Sequence, residues 1–282
     1  MARVLTAPLK IDLALERSFL RALARAFAGA LIFGLPLLMT MEMWALGFYM
    51  DPLRLALFLA AMFPLLVGLA YYAGFEEGFD WRQFVLSAWV AYAVAFVAAA
   101  AGLALLGVLG PGMSLAEMVG KVSLQAIPAS IGAMLARSQL GERDEEEEER
   151  RRDTYGGELF LAAVGALFMA FNVAPTEEVV LIATMMTGWH ALALIAVSLG
   201  VMHAFVYAVE FRGQTSLHPE IAAWSEFLRL TVVAYALALL VCLYVLWSFG
   251  RTDGLAAGEL LMHTVVLGFP AAIGAAAARL IL

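Results

Sequence analysis

Residues 158–186 read ELFLAAVGALFMAFNVAPTEEVVLIATMM. The run exceeds the roughly 20 apolar residues a helix needs to cross the bilayer core. Its interruption is Asn172 followed by Pro175-Thr176-Glu177-Glu178. Proline cannot donate to the preceding turn and clashes with it, so a helix is predicted to break or kink at Pro175. Proline followed by glutamates is also the composition of the first turn of a new helix. Ending the span at the proline would leave only about 15 apolar residues, too few to cross. The reading is a membrane helix interrupted at depth, with Asn172 and Thr176 able to satisfy freed backbone and carboxylates beside the gap.

The same pattern occurs 136 residues earlier. Gly29-Ala30-Leu31 falls on Gly165-Ala166-Leu167, Thr40 on Thr176, Glu42 on Glu178, Tyr71 on Tyr207 and Phe75 on Phe211. Further along, Val90-Ala91-Tyr92-Ala93 matches Val233-Ala234-Tyr235-Ala236 at an offset of 143, and Pro128–Ala133 matches Pro270–Ala275 at 142. Gly132/Ala136 and Gly274/Ala278 put small residues one helical turn apart, a device for close helix approach in lipid.

Composition fixes the class. Hydrophobic residues make up 63% of the 282, charged residues 15%, and mean hydropathy is +0.88. A soluble domain carries about 45–50% apolar residues. The chain is therefore read as an all-α membrane protein, which excludes a nucleic-acid binder, a cytosolic enzyme and a secreted domain. Cys242 is the single cysteine, so no intramolecular disulfide framework exists. Eight spans are expected, near 22–48, 53–73, 84–108, 115–137, 158–186, 189–211, 224–248 and 257–280. They form two four-helix repeats, 1–140 and 157–282, joined by an acidic and basic linker at 141–156 (GERDEEEEERRRD over 141–153). An even helix count per half makes the repeats parallel. The Arg17, Arg21 and Arg25 run reads as an uncleaved start.

Lys and Arg set the orientation. The side carrying both termini collects fourteen of them, the opposite side only Arg54 and Arg251, and Lys121 lies inside a span. Both termini are thus expected in the cytoplasm.

Ionisable groups at membrane depth cost about 2.5–3.5 kcal/mol on the insertion scale and are functional candidates. Glu42 and Glu178, helped by Glu177, Thr40, Thr176 and Asn172, make the expected ion site at the interface of the halves. Hard oxygen ligands suit a proton, sodium or calcium. Glu117/Lys121 and Glu259/His263 occupy matching positions, each an acid and a base one turn apart. They are read as a gate or proton relay, or as ion pairs at a helix entrance. His203, lacking a polar counterpart in the first half, is a further relay candidate or a hydrogen-bonded packing residue. Trp44, Trp89, Trp189 and Trp247 read as interfacial anchors.

The eight spans, the acidic linker and Phe171-Asn172-Val173-Ala174-Pro175-Thr176-Glu177-Glu178 together resemble a family of bacterial integral membrane proteins with no assigned activity. That resemblance covers most of the chain. Ala174–Glu178 is also similar in chemistry to the Thr/Pro/Glu repeats of calcium/cation antiporters. Those repeats are inverted and ordered differently.

The expected function is a cation channel or secondary cation transporter. The alternatives are a membrane scaffold or sensor and, less favoured, an intramembrane metal-dependent enzyme using His203 and His263. An enzyme is the weaker expectation, and no cofactor is expected. The expected partners are the lipid bilayer, an inorganic cation or proton and a second copy of the chain, with no nucleic acid.

Overall fold

A computed structural model describes residues 13–72, 81–140, 154–210 and 227–281. The linker at 141–153 and the loop holding Phe211 and Arg212 lie outside the described residues. Within them the chain is entirely helical. The first half holds α1 (Leu13–Leu38), α2 (Met41–Tyr49), α3 (Pro52–Tyr72), α4 (Trp81–Leu105) and α5 (Leu115–Leu140). The second holds α6 (Tyr155–Val173), α7 (Glu178–Met185), α8 (Gly188–Glu210), α9 (Val233–Ser248, led in by a π-turn over Phe227–Val232) and α10 (Ala257–Ile281).

Among the described residues, eight helices are long and apolar enough to cross a membrane, α2 and α7 being too short. Large apolar side chains such as Ile32, Phe48, Leu86, Val97, Leu105 and Trp189 face outward. Lipid, which carries no penalty for such groups, is the solvent that this surface fits. The spans expected at 22–48 and 158–186 are each two helices. Thr40 is extended between α1 and α2, and Ala174–Glu177 turns between α6 and α7.

Close backbone approach holds each half together. α1 packs most extensively on α5, and α6 on α10. A Cβ added at Gly132 would collide with the Gly29 carbonyl, and one at Gly29 with the Gly132 carbonyl. Gly165 and Gly274 meet in the same reciprocal way. These crossings use the small-residue faces and bring each Cα–H against a carbonyl of the partner helix. A third close approach sets Gly47 of α2 against Gly120 and Lys121 of α5.

Matching element ends share the sequence offsets. α7 ends 136 residues after α2, α8 begins 136 after α3, α9 ends 143 after α4, and α10 begins 142 after α5. The stops of α4 and α9 are chemically alike. Val108 N donates to Leu103 O and Gly107 N to Ala104 O; Arg251 N donates to Leu246 O and Gly250 N to Trp247 O. Both are Schellman caps, and both need the positive φ, 72°, that Gly107 and Gly250 supply.

Contact between the halves is sparser and largely aromatic. Phe58 of α3 meets Phe171 of α6 at 5.4 Å and Tyr244 of α9 at 5.4 Å. Phe33 of α1 meets Phe168 of α6 at 5.0 Å, and Tyr72 stacks on Phe160 at 5.0 Å. An apolar cavity of about 210 Å³ lies between the halves, walled by Phe33, Leu135, Phe168 and Met169.

Candidate functional site

The two helix breaks lie at similar depth. Gly29 crosses Gly132, seventeen residues into α5, and Leu38 is nine residues beyond Gly29. At 1.5 Å per residue the end of α1 lies about 12 Å inside the level where α5 begins. The same count along α6 and α10 puts Val173 about 13 Å inside the start of α10. A direct contact agrees: Gln125, ten residues into α5, reaches the last turn of α1.

At the first break the backbone is fully accounted for. A helix end leaves four carbonyls without intrahelical partners. Here Leu35 O accepts from Met39 N at 3.1 Å and Pro36 O from the Thr40 hydroxyl at 2.6 Å. Leu37 O accepts from Thr40 N at 3.1 Å and from Gln125 Nε2 at 2.8 Å, and Leu38 O from Trp44 Nε1 at 2.9 Å. Trp44 therefore caps a helix rather than serving only as an interfacial anchor. Gln125 is 1% exposed, and its Oε1 has no hydrogen-bond partner among the described residues. Glu42, half-buried in the first turn of α2, pairs with no cation among the described residues.

The second break is built differently. Asn172 Nδ2 donates to Phe168 O at 2.7 Å and the Thr176 hydroxyl to Val173 O at 2.8 Å. Arg251, brought down by the α9 cap, donates from one nitrogen to Pro175 O at 2.6 Å and pairs with Glu177 Oε1 at 2.8 Å. Its side chain is 17% exposed. Glu178 is exposed at the start of α7. Sequence reasoning left Arg251 in an outer loop. One signal could have found it: only two basic residues were expected on that side. The other, Arg54, binds Asp253 at 2.8 Å and Trp247 O at 3.0 Å, with its guanidinium over the Trp247 ring. This ties α3 to the turn that carries Arg251.

Of the paired groups, Glu117 and Lys121 meet at 2.7 Å with side chains 21% and 11% exposed, under α2 at the Gly47 crossing. The pair lies in the first two turns of α5 and is partly buried beneath α2. Ser114 Oγ also accepts from Glu117 N, one half of a capping box. The other half appears at α10, where Glu259 Oε2 accepts from Ala256 N at 2.9 Å. Glu259 therefore caps α10 instead of pairing with His263. His263 is 4% exposed beside the Arg251 backbone, and its Nδ1 has no hydrogen-bond partner among the described residues. His203 lies near the opposite face, 3.3 Å from the Thr231 hydroxyl and edge-on to Phe227.

α2 packs on α5 and α7 on α10, each within its own half. Among the described residues no three His, Cys, Asp or Glu side chains gather at one point. Glu42, Glu177 and Glu178 thus form two separate half-sites, not one cluster. What each half-site offers is hydroxyl, amide and carboxylate oxygen beside an interrupted helix.

A family model described as "Putative integral membrane protein (DUF2391)" matches residues 22–282, and the chain belongs to that family. No curated protein and no solved structure matches it.

Proposed function

We propose that the protein is a secondary cation transporter or cation channel that holds its ion at the helix breaks, through Thr40 and Glu42 in the first half and Thr176 and Glu178 in the second. The carrying observation is that α1 and α6 stop at similar depth and resume as short helices whose first turns contain Glu42 and Glu178. Hydroxyls that donate to carbonyls keep their lone pairs, so Thr40 and Thr176 remain able to ligate a cation. Asn172 Oδ1 is available in the same way, since its Nδ2 makes the helix contact. Glu117 and Lys121, partly buried beneath α2, suit a gate on the first break. His263 has the same place on α10, whereas the His203–Thr231 contact supports a packing role. Glu177 serves Arg251, and Glu259 serves a helix cap.

The shared offsets of the element ends, the paired glycine crossings and the paired Schellman caps support reading the halves as parallel repeats. The apolar cavity and sparse contacts between them suit relative motion. The excess of Lys and Arg on the face of the termini supports both termini being cytoplasmic, and the bacterial inner membrane is the location that the family resemblance implies. The partners are then lipid and a proton, sodium or calcium ion.

The test is ion flux in proteoliposomes. The Glu42→Gln/Glu178→Gln double variant keeps shape and hydrogen-bonding capacity but removes both charges. It should fold with near wild-type stability and carry no flux. Wild-type flux in the folded double variant leaves a non-transporting scaffold or sensor as the better reading.

A further inference from the structure

The two breaks lie at similar depth but differ at several matched positions, three of which bear on charge and on a buried amide. Glu177 stands where the first half has Met41, Arg251 where it has Val108, and Leu267 where it has Gln125. The first two differences compensate, because Arg251 and Glu177 are an ion pair. Each break is therefore left with one carboxylate that has no cationic partner among the described residues, Glu42 or Glu178. The third difference does not cancel. Leu267 is fully buried and brings no polar atom, whereas Gln125 brings a buried carbonyl oxygen without a partner among the described residues.

The orientation of the Gln125 amide is dictated by its neighbour. Leu37 O is an acceptor, so the amide must turn its NH2 toward it, leaving Oε1 as the group still to be met. The last four carbonyls of α1 are already satisfied. Thr40 N and Gln125 Nε2 share the Leu37 carbonyl, which brings the Thr40 hydroxyl and the Gln125 amide to the same turn, with Glu42 following at the head of α2. At the second break a guanidinium already holds the Pro175 carbonyl and the extra carboxylate.

We infer that the protein binds one exchangeable monovalent cation per chain, at the α1/α2 break, with Gln125 Oε1 as a ligand beside Thr40 and Glu42. In the second half Leu267 stands in the place of Gln125, and Arg251 is a tethered cation on the Pro175 carbonyl and Glu177. One carboxylate with neutral oxygens neutralises a single positive charge, and calcium sites draw on six to eight oxygens and commonly several carboxylates. The inference rests on the cation-transport reading and narrows it to one half and to a proton or sodium.

The experiment is binding of radioactive sodium to the purified full chain in nanodiscs, with a parallel pH titration of proton uptake on detergent-solubilised protein. Wild type should take up one sodium, or in the proton case one proton, per chain, and calcium should not displace it at equal ionic strength. Gln125→Leu, which installs the residue the second half uses, should weaken binding at least tenfold. Gln125→Met, of similar length, repeats the test without shortening the side chain. Glu42→Gln should abolish binding. Arg251→Gln frees Glu177 but supplies no amide in place of Leu267, so the count should stay at one. Two ions per wild-type chain, calcium occupancy, or wild-type affinity in both folded Gln125 variants would overturn the inference, the last because the cation then does not use Oε1. In those cases flux that still needs Glu42 leaves the transport reading standing. Absence of any cation binding and of flux overturns both.

Discussion

Gly132→Ala should destabilise the protein, and Gly200→Ala should stabilise it, although each adds one methyl group to a membrane helix. At Gly132 the new carbon would overlap the Gly29 carbonyl and lie 2.5 Å from Phe33 Cβ and 2.8 Å from Phe33 Cγ. Carbon atoms prefer about 3.5–4.0 Å, so α1 and α5 must part by about 1 Å. The carbonyl belongs to backbone and cannot rotate away. A gap of that size forfeits a quarter to a half of the attraction of each affected contact, along the most extensive interface in the first half. Overpacking of this kind costs about 1–3 kcal/mol, and the rigid partner puts Gly132 at about 3. Replacing a helical glycine returns about 1 kcal/mol, for a net loss of about 2. At Gly200 nothing lies within 4 Å of the added carbon, so only the gain remains. Thermal denaturation of both variants in one detergent, followed by loss of helical circular dichroism, measures the contrast. A Gly132→Ala protein as stable as wild type would refute the close crossing of α1 and α5.

Three further outcomes are expected. A cysteine introduced at Glu147 should resist an impermeant thiol reagent in intact cells while one at Asp253 reacts; the reverse pattern inverts the topology. Lys121→Ala leaves Glu117 half-buried without its partner and should cost about 3 kcal/mol, whereas Glu117→Ala/Lys121→Ala should cost less than that single change; additive single effects in a double-mutant cycle would mean that the pair does not couple. Arg54 holds the Asp253 carboxyl below the usual aspartate range by hydrogen bonding and charge. A depressed native pKa contributes stability that is complete above the unfolded value of about 4 and is lost as pH falls through the native value. Asp253→Asn should remove that acid limb from the pH profile of the melting temperature, and an unchanged profile would show that the tether contributes nothing.

Helix existence, number and interruption were legible because they follow from composition and from proline. The breaks fall after Leu38 and Val173, and the glycine crossings use the small residues that spacing had marked. Pairing across space was less legible. Arg251 meets Pro175 and Glu177 across more than 70 residues, and only the Schellman turn at Gly250 lowers it to that level. Glu259 and His263 have the spacing of an ion pair, yet Ala256 at the helix start offers an orphan N–H, which takes the carboxylate first. Gln125 escaped a search for ionisable groups because it is neutral, although it is the lone amide in the 115–136 span.

That amide also bears on whether the first break is a kink or a site. If the break served only to redirect the chain, its needs would end with donors for the carbonyls of α1. Trp44 shows how economically such a need is met: an indole donates to Leu38 O and carries no acceptor that must itself be satisfied. Glutamine at 125 donates equally well to Leu37 O but buries an acceptor oxygen, and an unmet buried acceptor costs about 1–3 kcal/mol. The second half ends its helix at the same depth with leucine in the matching place, so the fold does not require an amide there. A residue that costs stability where an apolar one is demonstrably accommodated is accounted for when its spare oxygen has a guest. With Glu42 two residues past Thr40 in the chain and no cation paired with it among the described residues, the guest proposed is a positive charge.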